Sequence, residues 1–307
     1  MAQYLINKYV WLVETIYKAK EITFKELKEE WSANQDMSEG LDLSLRTFHK
    51  WRNACEEIFG INIECKRTSG YIYSIDNAEE IENGGLKSWL LNTISVSNVL
   101  IENQSLKDRI LLEEIPSGKE YLSAILNAMK RKRLIHITYY NYWRDDKREH
   151  YVMPLCVKLF RQRWYMVGKW STRMIGIFCL DRILDLRLSP HTFKYPEDFD
   201  PEIYFEECFG VIAGVDIKVE HVVLKVSASQ ANYLRDLPMH KTQHEKECHD
   251  EYSIFELYIR PTYDFQQEIL WNGEEIEVLK PAWLRKEIAD RIELMWNKYN
   301  TKENLER

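Results

Sequence analysis

Residues 161–170 place large aromatic side chains beside fixed positive charges, in a pattern that predicts a β-strand. From residue 163 to 170, bulky residues alternate with polar or small ones, which is typical of a half-buried strand. Residues 130–187 carry 14 Lys+Arg and 5 Asp+Glu, a net charge of +9, while the whole chain has −7 and the remainder therefore −16. This basic, aromatic segment favours binding of an anion with flat rings, such as a nucleotide or a short single strand. The alternative is an ordinary sheet whose Lys and Arg side chains extend into solvent.

Length and composition predict a folded protein of two or three domains. The chain has 307 residues, of which 45% are hydrophobic and 13% aromatic, as in globular proteins. No apolar run approaches the roughly 18 residues that span a bilayer, and the N-terminus has no signal-peptide pattern, so we expect a cytoplasmic protein. The six cysteines form no Cys-x-x-Cys pair, which favours reduced and mostly buried thiols.

Residues 1–77 have the plan of a winged helix-turn-helix. Helices are predicted at 4–19 and 24–31, the second with a Thr23–Glu26 capping box. After a polar loop at 32–42, Ser44 caps a third helix that Gly60 ends. Its expected inward residues are Leu45, Phe48, Trp51, Cys55 and Ile58. Short strands at 61–65 and 71–75 complete the plan as a hairpin.

The third helix carries polar residues outside its apolar stripe, where a recognition helix contacts DNA. The predicted DNA-binding residues are Arg46, Thr47, His49, Lys50 and Asn53 of this helix, and Lys66 and Arg67 at the hairpin tip. Arg can bind guanine with two hydrogen bonds, and Lys and Thr can contact phosphates. Residues 1–75 carry 10 Lys+Arg and 11 Asp+Glu. A winged helix that binds another protein therefore stays an alternative.

Residues 78–118 are predicted to form a helical linker. Its main helical stretch is 86–112, after a break at Asn83-Gly84-Gly85 and before a turn at 115–118. Such a linker either dimerises or acts as a monomeric spacer. A further helix at 119–133 has an apolar face of Tyr121, Leu122, Ile125, Leu126 and Met129. Its basic end at 130–133 favours interaction with the helix dipole, with a nucleic-acid patch as the alternative.

Four strands are predicted at 135–142, 148–160, 163–170 and 175–182. The acidic remainder, 212–307, is predicted as an α+β module with strands at 222–226 and 252–259 and helices near 229, at 263–271 and from 281. His240, His244, Cys248 and His249 have metal-ligand spacing if helical, but the intervening charges favour a solvated hairpin. The sequence contains none of the common catalytic motifs. We expect no enzyme, metal or cofactor.

The basic segment and the residues after it contain Trp164-Tyr165-Met166, Tyr139, Arg148, Pro154, Leu180-Asp181-Arg182-Ile183, Phe193, Pro196 and Phe199-Asp200. In this combination they resemble the WYL domain, a small Sm-like (SH3-like) β-barrel of bacterial regulators. Residues 269–285 resemble the extension that commonly follows such domains. By matching positions, the resemblance implies an effector surface of Tyr139, Arg148, Tyr165 and Arg182. Lys158, Arg161 and Arg163 are candidate neighbours, and Trp164 is expected in the barrel core.

One position departs from the family pattern. Members often have a basic residue before the apolar strand that leads to Asp-Arg-Ile, whereas this chain has Gly176, with Arg173 as the nearest charge. This departure weakens the expectation that the chain binds a ligand common to the family.

The expected fold is therefore α+β and multidomain. It comprises a winged helix-turn-helix (1–77), a helical linker (78–118), a WYL β-barrel (119–205) and a C-terminal extension (212–307). The expected function is that of a DNA-binding transcriptional regulator. We expect a homodimer, because two winged helices one DNA turn apart bind a palindromic operator more tightly than one. A nucleotide or single-stranded nucleic acid would be its effector. The alternative is a single-stranded nucleic-acid-binding accessory protein.

Overall fold

A computed structural model describes residues 2–67, 70–82, 85–102, 104–111, 118–142, 144–170, 174–214 and 216–300. The chain divides into two compact units, Met1–Glu113 and Glu114–Arg307, and both mix helices with antiparallel sheets. Within the described ranges, no helix combines the length and hydropathy required to cross a membrane. The predicted turn at 115–117 and the residues 83 and 84 of the predicted break lie outside these ranges.

The first unit combines helices with a three-stranded antiparallel sheet of order β1-β3-β2. Its elements are α1 (Ala2–Ala19), β1 (Ile22–Thr23), α2 (Phe24–Ala33), α3 (Gln35–Ser38), α4 (Leu45–Phe59), β2 (Ile63–Lys66), β3 (Ile72–Ile75), α5 (Glu79–Glu82) and α6 (Leu86–Glu102), then a 3-10 helix (Gln104–Arg109). The apolar faces of α1, α2 and α4 enclose one core with the sheet, and Leu91 of α6 joins it.

Local signals set the helix ends of this unit, as the sequence predicts. The Thr23 hydroxyl accepts a hydrogen bond from the Glu26 amide at 3.3 Å, and the Glu26 carboxylate accepts one from the Thr23 amide at 2.8 Å. The Ser44 hydroxyl likewise accepts from the Thr47 amide at 3.1 Å. Gly60 ends α4 at φ +68°, in the left-handed region that favours glycine. These contacts satisfy amides and carbonyls that a helix leaves unpaired.

Two details of the first unit differ from prediction. The expected loop at 32–42 contains α3, whose first amides are capped by Asn34, since the Asn34 side chain accepts from the Met37 amide at 3.1 Å. Leu45 and Ile58 were expected inside but are 48% and 42% exposed. Leu45 begins α4, and Phe59 is buried in the last turn instead.

Replacing Thr23 with Ala should lower the free energy of unfolding of this unit by about 1 kcal/mol, because α2 loses its capping hydroxyl. Chemical denaturation measures the change. Ser32→Ala is the matched control, since the Ser32 hydroxyl only donates to the Lys28 carbonyl of the same helix at 2.9 Å. Equal stability of the two variants would show that the cap contributes nothing.

The second unit begins with a helix and a five-stranded antiparallel sheet of order β7-β6-β5-β4-β8. The elements are α7 (Lys119–Lys130), β4 (Arg133–Asn141), β5 (Asp146–Phe160), β6 (Arg163–Lys169), β7 (Ile175–Cys179), a 3-10 turn (Leu180–Arg182) and β8 (Ile183–Thr192). Strand β5 is long enough to pair with β4 along its first half and with β6 along its second. A bulge between Pro154 and Cys156 separates the two halves. Ile125 and Ala128 of α7 lie in the core, and Leu126 is 45% exposed, contrary to prediction.

Strand β8 was not predicted, and the fourth predicted strand is too long. β7 ends at Cys179, so Arg182 lies in a 3-10 turn and not on a strand. β8 pairs with β4. The alternation of Leu184, Leu186 and Leu188 with charged residues is a period-two signal that could have identified it.

The C-terminal part of this unit is a four-stranded sheet of order β10-β11-β9-β12. After α8 (Pro201–Phe205), its elements are β9 (Glu220–Ser227), α9 (Ala228–Asp236), β10 (His244–Cys248), β11 (Tyr252–Ile259), α10 (Tyr263–Trp271), β12 (Ile276–Lys280) and α11 (Ala282–Asn300). This is the split β-α-β order of a ferredoxin-like sandwich, with the three helices and the sheet sharing one core. The edge strands β10 and β12 were not predicted.

Candidate functional site

The exposed face of α4 presents the predicted DNA-contacting residues. Arg46, Lys50 and Asn53 are all exposed, and their spacing of four and three residues places them on one face of the helix. The opposite stripe, with Phe48 and Trp51, is buried. The three polar side chains can therefore contact a ligand without disturbing the core.

Thr47 and His49 have additional contacts within the unit. The Thr47 hydroxyl lies 2.8 Å from that of Ser44, so it belongs to the helix cap. The half-buried His49 ring lies 5.4 Å from the ring of Phe48. Both residues border the exposed face, but each contacts a neighbouring side chain of the first unit.

The hairpin contributes one cation engaged in an ion pair and one exposed cation. The Lys66 ammonium lies 2.7 Å from the Glu21 carboxylate, and this hydrogen bond raises the pKa of Lys66. Arg67 is exposed, while residues 68 and 69 of the tip lie outside the described part of the chain. A phosphate at this hairpin would compete with Glu21 for Lys66.

In the second unit, four aromatic rings form a continuous series, here named the aromatic row: Tyr139, Phe178, His150 and Trp170. Tyr139 and Phe178 are T-shaped with centroids 5.3 Å apart, Phe178 and His150 are 5.8 Å apart, and His150 and Trp170 5.1 Å. Trp170 at the outer end is 41% exposed, whereas Phe178 is buried. An exposed ring such as that of Trp170 can stack on a base.

Two arginines flank the inner end of the aromatic row. Arg148 lies directly opposite Tyr139 in the β4–β5 pairing, and its guanidinium contacts the Asp146 carboxylate at 2.9 Å. The Arg182 guanidinium lies 4.3 Å from the ring centroid of Tyr142. Its Nε is buried and has no hydrogen-bond partner among the described residues. A buried donor without a partner is costly unless an acceptor completes it.

Tyr139 links this arginine to the end of β7. Its hydroxyl accepts a hydrogen bond from the Cys179 amide at 3.1 Å. Burial raises the pKa of Tyr139, and the hydrogen bond from Cys179 and the charge of Arg182 oppose that rise. Tyr139, Arg148 and Arg182 are thus the predicted effector residues that the fold places around one end of the aromatic row.

Two predicted neighbours contact later parts of the same unit. The Lys158 ammonium donates to the Gly210 carbonyl at 2.6 Å and lies 4.0 Å from the ring centroid of Phe205. Burial lowers the pKa of Lys158. Arg161 forms an ion pair with Glu268 of α10. These cations therefore join the five-stranded sheet to the C-terminal sandwich.

Arg163 and Tyr165 surround the 3-10 turn. The Arg163 guanidinium lies 3.0 Å from Asp181, whose side chain is only 9% exposed. Burial and the neighbouring Cys179 thiol raise the pKa of Tyr165 to about 12, and burial raises that of Cys179 to about 11. Trp164 packs against the core, as expected. This contact network supports the turn that carries Arg182.

Gly176 is explained by the aromatic row. A Cβ at this position would lie 3.2 Å from Trp170 Nε1 and 3.3 Å from Phe178 Cε2, closer than most such contacts. A side chain here would therefore require the rings of Trp170 and Phe178 to shift by a few tenths of an ångström. Arg173 lies outside the described residues.

Sequence reasoning missed His150, Trp170, Phe178 and Tyr142 as site residues. Trp170 and Phe178 belong to the segments that predict an aromatic binding surface, but periodicity alone does not say which rings meet. The His240–His249 stretch has its own contacts: His240 bonds Thr242 and the Glu206 carbonyl, and His244 begins β10. Across the described ranges, no three His, Cys, Asp or Glu side chains are grouped to hold a metal.

The stability of the second unit should fall as pH decreases below about 6.5, the ordinary pKa of His. Burial and the nearby Arg148 lower the pKa of His150, and burial lowers that of His240. The folded form therefore binds fewer protons than the unfolded form below this pH. Melting curves across pH 5–7 for wild type and His150→Gln measure the effect. A slope unchanged in the variant would exclude His150 as a contributor.

Comparison with known proteins assigns domains to the second unit. The WYL domain model matches residues 120–188, and the WCX domain model matches residues 218–296. No curated protein matches the chain.

Two solved structures resemble the fold at low identity. Proteasome accessory factor B/C (PafBC) of Arthrobacter aurescens is 16% identical with a TM-score of 0.40, covering 97% of this chain and 48% of that one. A CRISPR Cas-related protein is 12% identical with a TM-score of 0.39, covering 60% of this chain and 53% of that one. The chain thus spans about half the length of each structure. The chain therefore contains a region matched by the WYL domain model, followed by a region matched by the WCX domain model.

Proposed function

We propose that this protein is a cytoplasmic, DNA-binding transcriptional regulator whose WYL domain senses a nucleotide or nucleic-acid effector. The observation that carries the proposal is the exposed stripe of Arg46, Lys50 and Asn53 on a capped helix in the first unit. The WYL and WCX domains of the second unit support it.

The first unit supports a winged-helix interpretation. Its helices and strands follow the order α1-β1-α2-α4-β2-β3, with α3 inserted before α4, and β2 and β3 form a hairpin. In such a module, α4 would enter the major groove and the hairpin would approach the backbone. Arg46 and Lys50 would then read base edges or hold phosphates.

The second unit supports an effector site on an Sm-like barrel. Its sheet has five antiparallel strands, and the long β5 pairs with both β4 and β6. This arrangement suits a small barrel. The aromatic row provides rings for a base, while Arg148 and Arg182 provide charge-assisted donors for a phosphate. Occupancy would need to change DNA affinity by only about 1–3 kcal/mol to regulate transcription.

Selection of genomic fragments by the purified protein would test the DNA-binding function. Fluorescence anisotropy at fixed salt should then show tighter binding to a selected duplex than to a scrambled duplex or to either single strand. A fixed salt concentration matters because phosphate contacts make affinity salt-dependent. Binding to all duplexes with equal affinity would contradict a sequence-specific regulator.

A single-stranded nucleic-acid-binding accessory protein is the second candidate. The aromatic row favours it, because stacking binds single strands with little dependence on sequence. This function predicts tight binding of single-stranded oligonucleotides and no fragment enrichment. Loss of that binding in Trp170→Ala, with duplex affinity unchanged, would assign the two activities to different surfaces.

We expect the protein to be a homodimer, because two α4 helices spaced by one DNA turn would bind a palindrome more tightly than one. Light scattering at low micromolar concentration should give twice the chain mass of 36.9 kDa. A mass of one chain, unchanged on adding operator, would contradict the dimer. Recovery of two chains only on DNA would indicate assembly on the operator.

A further inference from the structure

A cavity of about 560 Å³ opens among α1, α2, α3 and α6 of the first unit. Its walls include Trp11, Glu14 and Lys18 of α1, Glu30 of α2, Met37 of α3 and Asn98 of α6. Cavities of this size hold small molecules in other proteins. Its described lining does not include Arg46, Lys50 or Asn53, so it is distinct from the exposed face of α4.

Asn98 presents a buried acceptor to this region. The residue is only 8% exposed, and its side-chain oxygen has no hydrogen-bond partner among the described residues. A buried amide oxygen without a donor costs about 1–3 kcal/mol. Helix α6 positions it, because Ser95, three residues earlier, donates its hydroxyl hydrogen bond to the Glu14 carboxylate of α1. The site therefore has a fixed acceptor that lacks its donor.

The charges around the cavity select a cation. Glu14 and Glu30 supply two carboxylates against the single ammonium of Lys18. The side-chain oxygen of Asn34 already accepts the Met37 amide, at 3.1 Å. Trp11 adds an indole that packs edge-on against Trp31, with centroids 4.9 Å apart. An ammonium group could donate to Asn98 and Glu14 while an aromatic or apolar body lies against the indole.

We infer that this cavity binds a small organic ammonium ion with a flat apolar body. The ligand would bridge α1 and α6, adding to the Ser95–Glu14 hydrogen bond. Binding to the folded form alone would stabilise the first unit by mass action. This site is independent of the proposed effector site in the WYL domain, and its occupancy is measurable without DNA.

Tryptamine is a suitable probe, and indole-3-acetate is its control because it carries the same ring with the opposite charge. Isothermal titration and thermal melting of the full chain should show tryptamine binding with 1:1 stoichiometry and a raised Tm. Indole-3-acetate should leave the Tm unchanged. Equal responses to both probes, or no response to tryptamine at millimolar concentration, would overturn the inference and leave a hydrated cavity.

Three variants locate the binding. Asn98→Leu removes the acceptor at similar volume, and Glu14→Gln removes charge while keeping an acceptor for Ser95. Each should weaken tryptamine binding by about tenfold or more, the effect of losing one charge-assisted hydrogen bond. Ser97→Ala is the control, because Ser97 is exposed and bonds only to the Thr93 carbonyl of α6 among described contacts. Unchanged tryptamine affinity in folded Glu14→Gln would overturn the assignment even if Asn98→Leu fails to fold.

Discussion

Replacing Arg46 and Lys50 together with Ala should abolish most sequence-specific duplex binding and leave the protein folded. Both side chains are exposed on α4, so their truncation removes no core contact. A bidentate contact from Arg to guanine contributes about 1–3 kcal/mol of discrimination, which corresponds to about 5- to 150-fold in affinity. Loss of a Lys–phosphate contact adds a smaller decrease that is independent of sequence and falls with salt.

The control variant must lose two positive charges at positions outside α4. Lys25→Ala with Lys286→Ala does so, since both residues are exposed and Lys25 forms a solvent-exposed pair with Glu29 at 3.9 Å. Gel-shift titrations at fixed salt should show near-normal operator affinity for the control. Equal loss in both double variants would indicate that net charge, and not α4, determines binding. Unchanged affinity in Arg46→Ala/Lys50→Ala would exclude α4 as the reader.

The helices were predictable because their signals are local. Thr23, Ser44 and Gly60 each act on backbone groups within five residues, so the sequence alone specifies where α2 and α4 begin or end. Periodicity did not predict which residues are buried at the two ends of α4. Burial of Leu45 in the first turn or of Ile58 in the last turn depends on what packs beyond each end of the helix, which periodicity cannot report.

The strands that the sequence did not predict are all edge strands. β8, β10 and β12 each lie at the edge of their sheet, where charged side chains such as Glu245 and Glu277 are favoured because they discourage aggregation. In β10 and β12 that charge weakens the hydrophobic signal by which a strand is recognised, whereas β8 retains its alternation of leucine with charged residues. The central strands β9 and β11, with continuous apolar residues, were found.

The proposed effector surface could be predicted only in outline. Composition identified a basic, aromatic segment, but not which cations contact other parts of the fold. Lys158 and Arg161 bind Gly210 and Glu268, more than fifty residues later, and no local pattern encodes such contacts. The excess of +9 therefore overstates the charge available to an anion.

The fold separates the roles of Arg163 and Arg182, although both lie near the 3-10 turn. Arg163 pairs with Asp181, whose side chain is almost fully buried, so Arg163→Ala would leave a carboxylate without its charge partner. Such losses are strongly destabilising. Arg182 lies over Tyr142 and beside Tyr139, with a buried Nε that has no partner among the described residues. We interpret Arg182 as a donor held for an anionic effector.

Arg182→Ala should therefore give a stable protein with near-normal operator affinity that no longer responds to a single-stranded oligonucleotide. Removing the unpaired Nε donor offsets the loss of the contacts with Tyr139 and Tyr142, while an effector phosphate loses a charge-assisted hydrogen bond. Arg163→Ala is the matched control and should lower the Tm and weaken all activities together. If Arg182→Ala also lowers the Tm and every activity, Arg182 is structural. If it stays folded and keeps its full response, the effector binds elsewhere.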